Sequence, residues 1–273
     1  NLDALLLFRQ ESMYWLTGYD TFGYVFFQCL VLTSTGNKIL LTRVPDLRQA
    51  QNTSNIKDIR IWIDRDNTKP ADELKSILIE LNLENKNLGV EYEAYGLTGR
   101  NAMMLNASLS NFAKLHDESF LITKHRLVKS DQEIIYIKKA AELADKALEK
   151  AWELSHPGAN ESDILSAMQS AIFSGGGDYP GNEFIIGSGS NALLCRYFSG
   201  RRKLDPIDQL TLEFAGVYRH YHSALMRTIP IGKAKKEHLE MHQLCTETLH
   251  ACSSALNPGN LAGDIFESHR KII

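Results

Sequence analysis

Two segments of this chain repeat one another. "LEKAWELSHPGANESDIL" (148–165) is echoed by "LHACSSALNPGNLAGDIF" (249–266). Each reads as helix, Pro-Gly, short loop, Asp-Ile, helix. Pro157 and Pro258 stop the first helix of each pair, and Asp163 and Asp264 fall near the start of the second. A chain that carries one supersecondary unit twice is expected to build that part from two related halves. The first copy is followed by three β-favouring runs, "NEFIIGSG" (182–189), "QLTLEFAG" (209–216) and "YHSALMRTIPI" (221–231). The second copy runs into Ile273 with no strands after it, so the domain is expected to be C-terminally truncated by roughly a hundred residues. Asn1 in place of an initiating Met points to a fragment at the other end as well.

Ahead of the repeat the pattern differs. Strands are expected over 2–8, 24–33, 39–42, 58–63 and 87–92, with Gly36-Asn37 as a hairpin turn and a helix over 70–83 opened by Pro70. Strands alternating with helices make a small α/β domain. Near residue 125 a long helical pattern begins, with Ser130 and Glu133 spaced as a capping box. The fold class is therefore α/β (α+β), with domains at 1–124 and 125–273.

Composition narrows the partners. A net charge of −3 offers no basic face for nucleic acid, and no apolar run approaches the ~20 residues of a membrane helix. The N-terminus shows no basic region followed by an apolar stretch, so no signal peptide is expected. Cys29, Cys195, Cys245 and Cys252 form no C-x-x-C and read as thiols in a reducing cytoplasm.

The chemistry concentrates in "LTLEFAGVYRHYHSALMRT" (210–228). A hairpin turning at Tyr218–His220 places Thr211, Glu213 and Ala215 on one face of its first strand. His222, Ala224 and Met226 share one face of the second. If those faces coincide, Glu213 and His222 approach each other. Three readings stand open: a solvated hairpin with ordinary hydrogen bonds, a metal site using His220, His222 and Glu213 but short of further ligands, or a metal-free acid–base or nucleophilic pair of Glu213 with His222. Arg196, amid the apolar "LLCRYF", is either at the surface or a fork for a substrate carboxylate. "GSGSN" (187–191) lacks the Lys of a phosphate loop, and Ser188 and Ser190 lack a G-x-S-x-G setting. "SGGGDYPG" (174–181) reads as a flexible loop.

Taken in order, "SMYWLTGYD", "RLVKSDQEI", "HPGANESDI", "IIGSGSNA" and "EFAGVYRHYHSALMRT" resemble the creatinase/prolidase group with the pita-bread fold, over essentially the whole chain. Each motif is loose alone; their order is specific. The resemblance implies a creatinase-type N-terminal domain followed by a pita-bread catalytic domain, with the repeat as that fold's internal pseudo-symmetry. Metallopeptidase members, aminopeptidase P and Xaa-Pro dipeptidase, hold two metal ions with an Asp on each strand of this hairpin, eleven positions apart, and with a His and two Glu further on, which would fall beyond Ile273. Alignment on Arg227-Thr228 puts those positions at Glu213 and Ala224, and the family's catalytic His at Arg196. Alanine cannot ligate a metal, so the resemblance favours a metal-free member. "LLCRYFSGRRKLD" and "DQLTLEFAGVYRHYHSALMRT" look most like ectoine hydrolase, which opens a cyclic amidine to N-acetyl-diaminobutyrate. This resemblance implies a cytoplasmic, homodimeric hydrolase with no cofactor and a small-molecule substrate. Glu213 and His222 would be catalytic, and Arg196 and Tyr24 would bind substrate. A creatinase-like amidinohydrolase, a metal-dependent Xaa-Pro peptidase and a non-catalytic binding module are the alternatives. The stretch "GYVFFQ" (23–28) lacks the Arg that the creatinase pattern carries there.

Overall fold

A computed structural model describes residues 1–194 and 200–273, apart from the side chain of Tyr24. The chain forms two compact units, Asn1–Val128 and Lys129–Ile273.

In the first unit the elements run β1 (Ala4–Leu7), α1 (Gln10–Thr17), β2 (Cys29–Thr33), β3 (Lys38–Arg43), α2 (Leu47–Thr53), β4 (Asp58–Trp62), α3 (Pro70–Glu80), β5 (Asn87–Val90), α4 (Gly99–Leu109), β6 (Lys114–Asp117) and α5 (Leu121–His125). The six strands form one mixed sheet in the order β4-β3-β2-β1-β5-β6. Apolar clusters cover both faces. One gathers Leu6, Phe8, Val31, Leu74 and Leu105; the other gathers Leu7, Met13, Tyr19, Leu30 and Leu40. The central strands are buried on both sides, which is why they read as continuous apolar runs rather than alternating ones. Glu91, 1% exposed, follows β5 and caps α1 by accepting from the Phe8 and Arg9 backbone N–H and the Ser12 hydroxyl. Burial raises its carboxyl above the ordinary carboxylate range, partly offset by those donors.

The expected strand over 24–33 needs correcting. Residues Gly23–Val25 form a 3-10 turn, closed by Phe26 N–H on the Gly23 carbonyl and by the Gly23 N–H on the Thr21 hydroxyl. The strand starts only at Cys29. Local hydrogen bonding overrides the β propensity of this aromatic stretch.

The second unit contains α6 (Asp131–Leu154), α7 (Glu161–Ser174), β7 (Ile185–Ser188), β8 (Asp208–Tyr218), β9 (Tyr221–Ile231), α8 (Lys236–Ala255) and α9 (Ala262–Arg270). The expected capping box opens α6: Glu133 N–H donates to the Ser130 hydroxyl, and Ser130 N–H donates to the Glu133 carboxylate. The two repeat copies fold alike. Leu154 and Ala255 end the first helices, Glu161 and Ala262 begin the second, and Gly158 and Gly259 both take positive φ in between.

The strands pair antiparallel as β7-β8-β9. The inner face of the sheet buries Leu210, Leu212 and Phe214 against Leu143, Ala147, Ile164 and Met168 of α6 and α7. Gly216 permits this approach. A Cβ there would collide with the Ala140 carbonyl and sit 3.0 Å from Ala144 Cβ, so α6 crosses β8 only where the strand has no side chain. Among the described residues no helix is long and apolar enough to cross a membrane.

Candidate functional site

The β8–β9 register fixes which side chains meet. Thr211 pairs with Thr228, Glu213 with Met226, Ala215 with Ala224, and Val217 with His222. Directly paired residues of an antiparallel ladder point to the same side. Glu213, Ala215, His222, Ala224 and Met226 therefore do share one face, the one turned away from α6 and α7. Ile185 of β7, paired with Glu213, adds an apolar neighbour on that face. Diagonally adjacent to Glu213 lies Ala224, within the ~7–8 Å reach of such pairs.

Glu213 is half-buried and, among the described residues, has no hydrogen-bond or ion-pair partner. An uncommitted carboxylate over Ala215, Ala224, Met226 and Ile185 is available to a cation brought to this face.

The structure does not bring Glu213 and His222 together. His222 faces Val217, four residues along the strand from Glu213, or about 13 Å at the strand rise. The turn falls at Arg219-His220, both with positive φ (48° and 63°), which matches the twist of a two-residue hairpin. Both ring nitrogens of His222 are engaged: Gly181 N–H donates to Nε2 at 2.8 Å, and Nδ1 lies 2.8 Å from the His220 carbonyl. Arg196 and the side chain of Tyr24 lie outside the described residues.

A second polar cluster, which no sequence motif announces, stands beside the inner core. Glu161, fully buried at the start of α7, accepts from the Ser188 hydroxyl at 2.6 Å and from Arg202 N–H at 3.1 Å. The Arg202 guanidinium donates to Ser188 Oγ at 2.6 Å and pairs with Asp205 and Asp208. Burial alone would raise the Asp208 carboxyl. The Arg202 hydrogen bond and the Asp205 and Gln209 backbone N–H groups outweigh it and hold that carboxyl below its ordinary value. The cluster ties the residue before the 189–201 segment to the residue after it. Its partners lie 27 and 41 residues from Glu161, beyond the reach of any local pattern.

Two divalent ions, which the resemblance associates with peptidases of this fold, need several carboxylates and a histidine converging on one point. The described part of the face offers Glu213 opposite apolar residues, with Ala224 where a second carboxylate would stand. No group of three or more His, Cys, Asp or Glu side chains suited to a metal ion occurs among the described residues. Of such a set, the described residues of this face supply one carboxylate, Glu213.

Comparison with known proteins agrees on the architecture. The model of metallopeptidase family M24 matches residues 136–273, and that of the creatinase/prolidase N-terminal domain matches 1–128. A Xaa-Pro dipeptidase of Pyrococcus horikoshii is 26% identical over 278 residues, covering 100% of this chain and 72% of the relative. An ectoine hydrolase of Halomonas elongata is 25% identical over 287 residues, covering 97% and 70%. Among solved structures, a prolidase from Thermococcus sibiricus superposes with a TM-score of 0.85 at 22% identity, covering all of this chain and 72% of the other.

Proposed function

The chain belongs to metallopeptidase family M24, preceded by a creatinase/prolidase N-terminal domain, and from that premise we propose that it is a metal-independent hydrolase that opens a small cyclic amidine, ectoine first among them. One observation carries the reading: Glu213 stands uncommitted on the open sheet face, with Ala224 diagonal to it. A protonated cyclic amidine is already an electrophile at its N–C–N carbon. Glu213 pairs with the amidinium and takes a proton as water adds to that carbon. A C–O bond forms, one ring C–N bond breaks, and the departing nitrogen leaves protonated. The products are an open-chain amide and an ammonium group. The ectoine hydrolase of Halomonas elongata supports this choice of substrate. The pairing of Glu213 with His222 expected from the sequence has no part in this step, because the register sets the two side chains apart. Arg196 remains the proposed fork for the substrate carboxylate, and Tyr24 a proposed contact.

Incubation of the protein with ectoine, with and without chelator, is the test. Ring opening that persists in chelator is expected. Opening abolished by chelator and restored by manganese overturns the metal-free step, and no opening at all overturns the substrate. Cleavage of Xaa-Pro dipeptides is the second reading, supported by the Pyrococcus horikoshii relative. It predicts activity that increases with added manganese.

A further inference from the structure

The Gly-rich segment 175–181, between α7 and β7, is fastened to the tip of the β8–β9 hairpin at three points. Asp178 N–H donates to the Val217 carbonyl at 3.0 Å. The Asp178 carboxylate accepts from His220 N–H at 3.2 Å. Gly181 N–H donates to His222 Nε2 at 2.8 Å. Gly177 lets the segment lie this close, since a Cβ there would sit 2.7 Å from the Val217 carbonyl oxygen and 2.6 Å from Ile172 Cγ2. Tyr179, at the middle of the segment, is 80% exposed and packs edge-on against Phe173.

The third fastening dictates the state of His222. A backbone N–H can donate only to a bare ring nitrogen, so Nε2 carries no proton. The proton of the neutral ring then sits on Nδ1, where it donates to the His220 carbonyl at 2.8 Å. Both bonds are satisfied by one tautomer and by no other. Because His222 shares the face of Glu213, the segment it holds stands over the hairpin-tip end of that face.

We propose that His222 is a positioning residue: as the neutral Nδ1–H tautomer it latches segment 175–181 onto the hairpin and sets the rim of the open face. The latch stands on hydrogen-bond geometry alone. Its consequence for turnover rests on the reading of Glu213 given above. The titratable and charged groups at this corner are Asp178 and Tyr179 on the segment and Tyr218, Arg219, His220 and Tyr221 on the hairpin. From α6 come Glu133, which accepts from the Tyr221 hydroxyl, and Tyr136, beneath Arg219.

Ring 15N NMR of the intact protein near pH 8, with amide hydrogen exchange at Gly181, tests this without a substrate. A proton on Nδ1 and a bare Nε2 are expected; a proton on Nε2 overturns the proposal. His222→Gln, whose side-chain oxygen can accept in place of Nε2, is expected to keep the Gly181 protection. His222→Phe is expected to lower the Gly181 protection factor about fivefold, the scale of one exposed hydrogen bond, while amides of Leu210–Phe214 stay protected. Undiminished Gly181 protection in His222→Phe overturns the latch. If that variant does not fold, the wild-type tautomer and the Gln variant still decide. Failure of ectoine turnover alone leaves these readouts standing, so the latch and the substrate can fail separately.

Discussion

Asp208 and Glu213 sit five residues apart on one strand and live under opposite conditions. Asp208 shares the parity of Leu210 and Leu212. Its side chain is 3% exposed and is held by Arg202 and two backbone N–H groups. Glu213 has the other parity, half-buried on the open face with no partner among the described residues. The same functional group is structural in one place and available in the other because strand side chains alternate. A carboxylate whose acceptor sites are filled holds the chain together. One left unfilled beside apolar neighbours is set up to meet a cation.

The largest expected effect breaks the open side of this contrast. Glu213→Gln should lower ectoine turnover by about 10²- to 10⁴-fold, the range of a lost acid–base group, while urea unfolding shifts by less than about 0.5 kcal/mol. Undiminished turnover would remove Glu213 from the reaction. The filled side should behave inversely. Glu161→Ala leaves Ser188 and Arg202 without their buried acceptor and should cost about 3 kcal/mol in unfolding free energy, on the scale of a broken buried charged network.

Asp208→Asn sharpens the comparison through pH. The folded carboxyl titrates below its unfolded value, so its contribution is fully present above the unfolded pKa of about 3.9 and is lost as pH falls through the lower folded value. The substitution should cost about 2 kcal/mol at pH 7, as for hydrogen bonds to charged groups. The cost should shrink toward zero in strong acid, measured by denaturant titration at both pH values. A pH-independent cost would show that packing, not charge, is what Asp208 supplies. The smallest effect is at Ser130. Loss of its cap in Ser130→Ala should destabilise the second unit by about 1 kcal/mol, with turnover per folded molecule unchanged.

Features whose cause lies within a few residues are legible in the sequence. The capping box at Ser130, the two helix–Pro-Gly–helix turns and the β8–β9 hairpin all have their signals inside one short window. Helix α1 is not legible in this way. Its N-cap is Arg9, whose side chain makes no cap bond, and its start is held by Glu91, some eighty residues away. Helix α4 carries its start signal locally, in Thr98, whose hydroxyl accepts from Asn101 N–H. The stretch at 23–28 carries strand-like residues yet turns, because Thr21 and the Gly23 carbonyl supply closer partners.

The order of residues alone is enough to dictate the two-unit α/β organisation, the repeat, and which residues of a single strand share a face, since alternation along a strand is a local rule. The register that sets His222 opposite Val217 and away from Glu213 emerges only when the chain is folded. So do the capture of Gly181 by His222 and the closing of the Glu161–Ser188–Arg202–Asp208 cluster. Which residues of one strand share a face follows from period alone. Which faces of β8 and β9 coincide depends on the hairpin register, and the contacts of Gly181 and Glu161 span 27 to 41 residues, which no local pattern encodes.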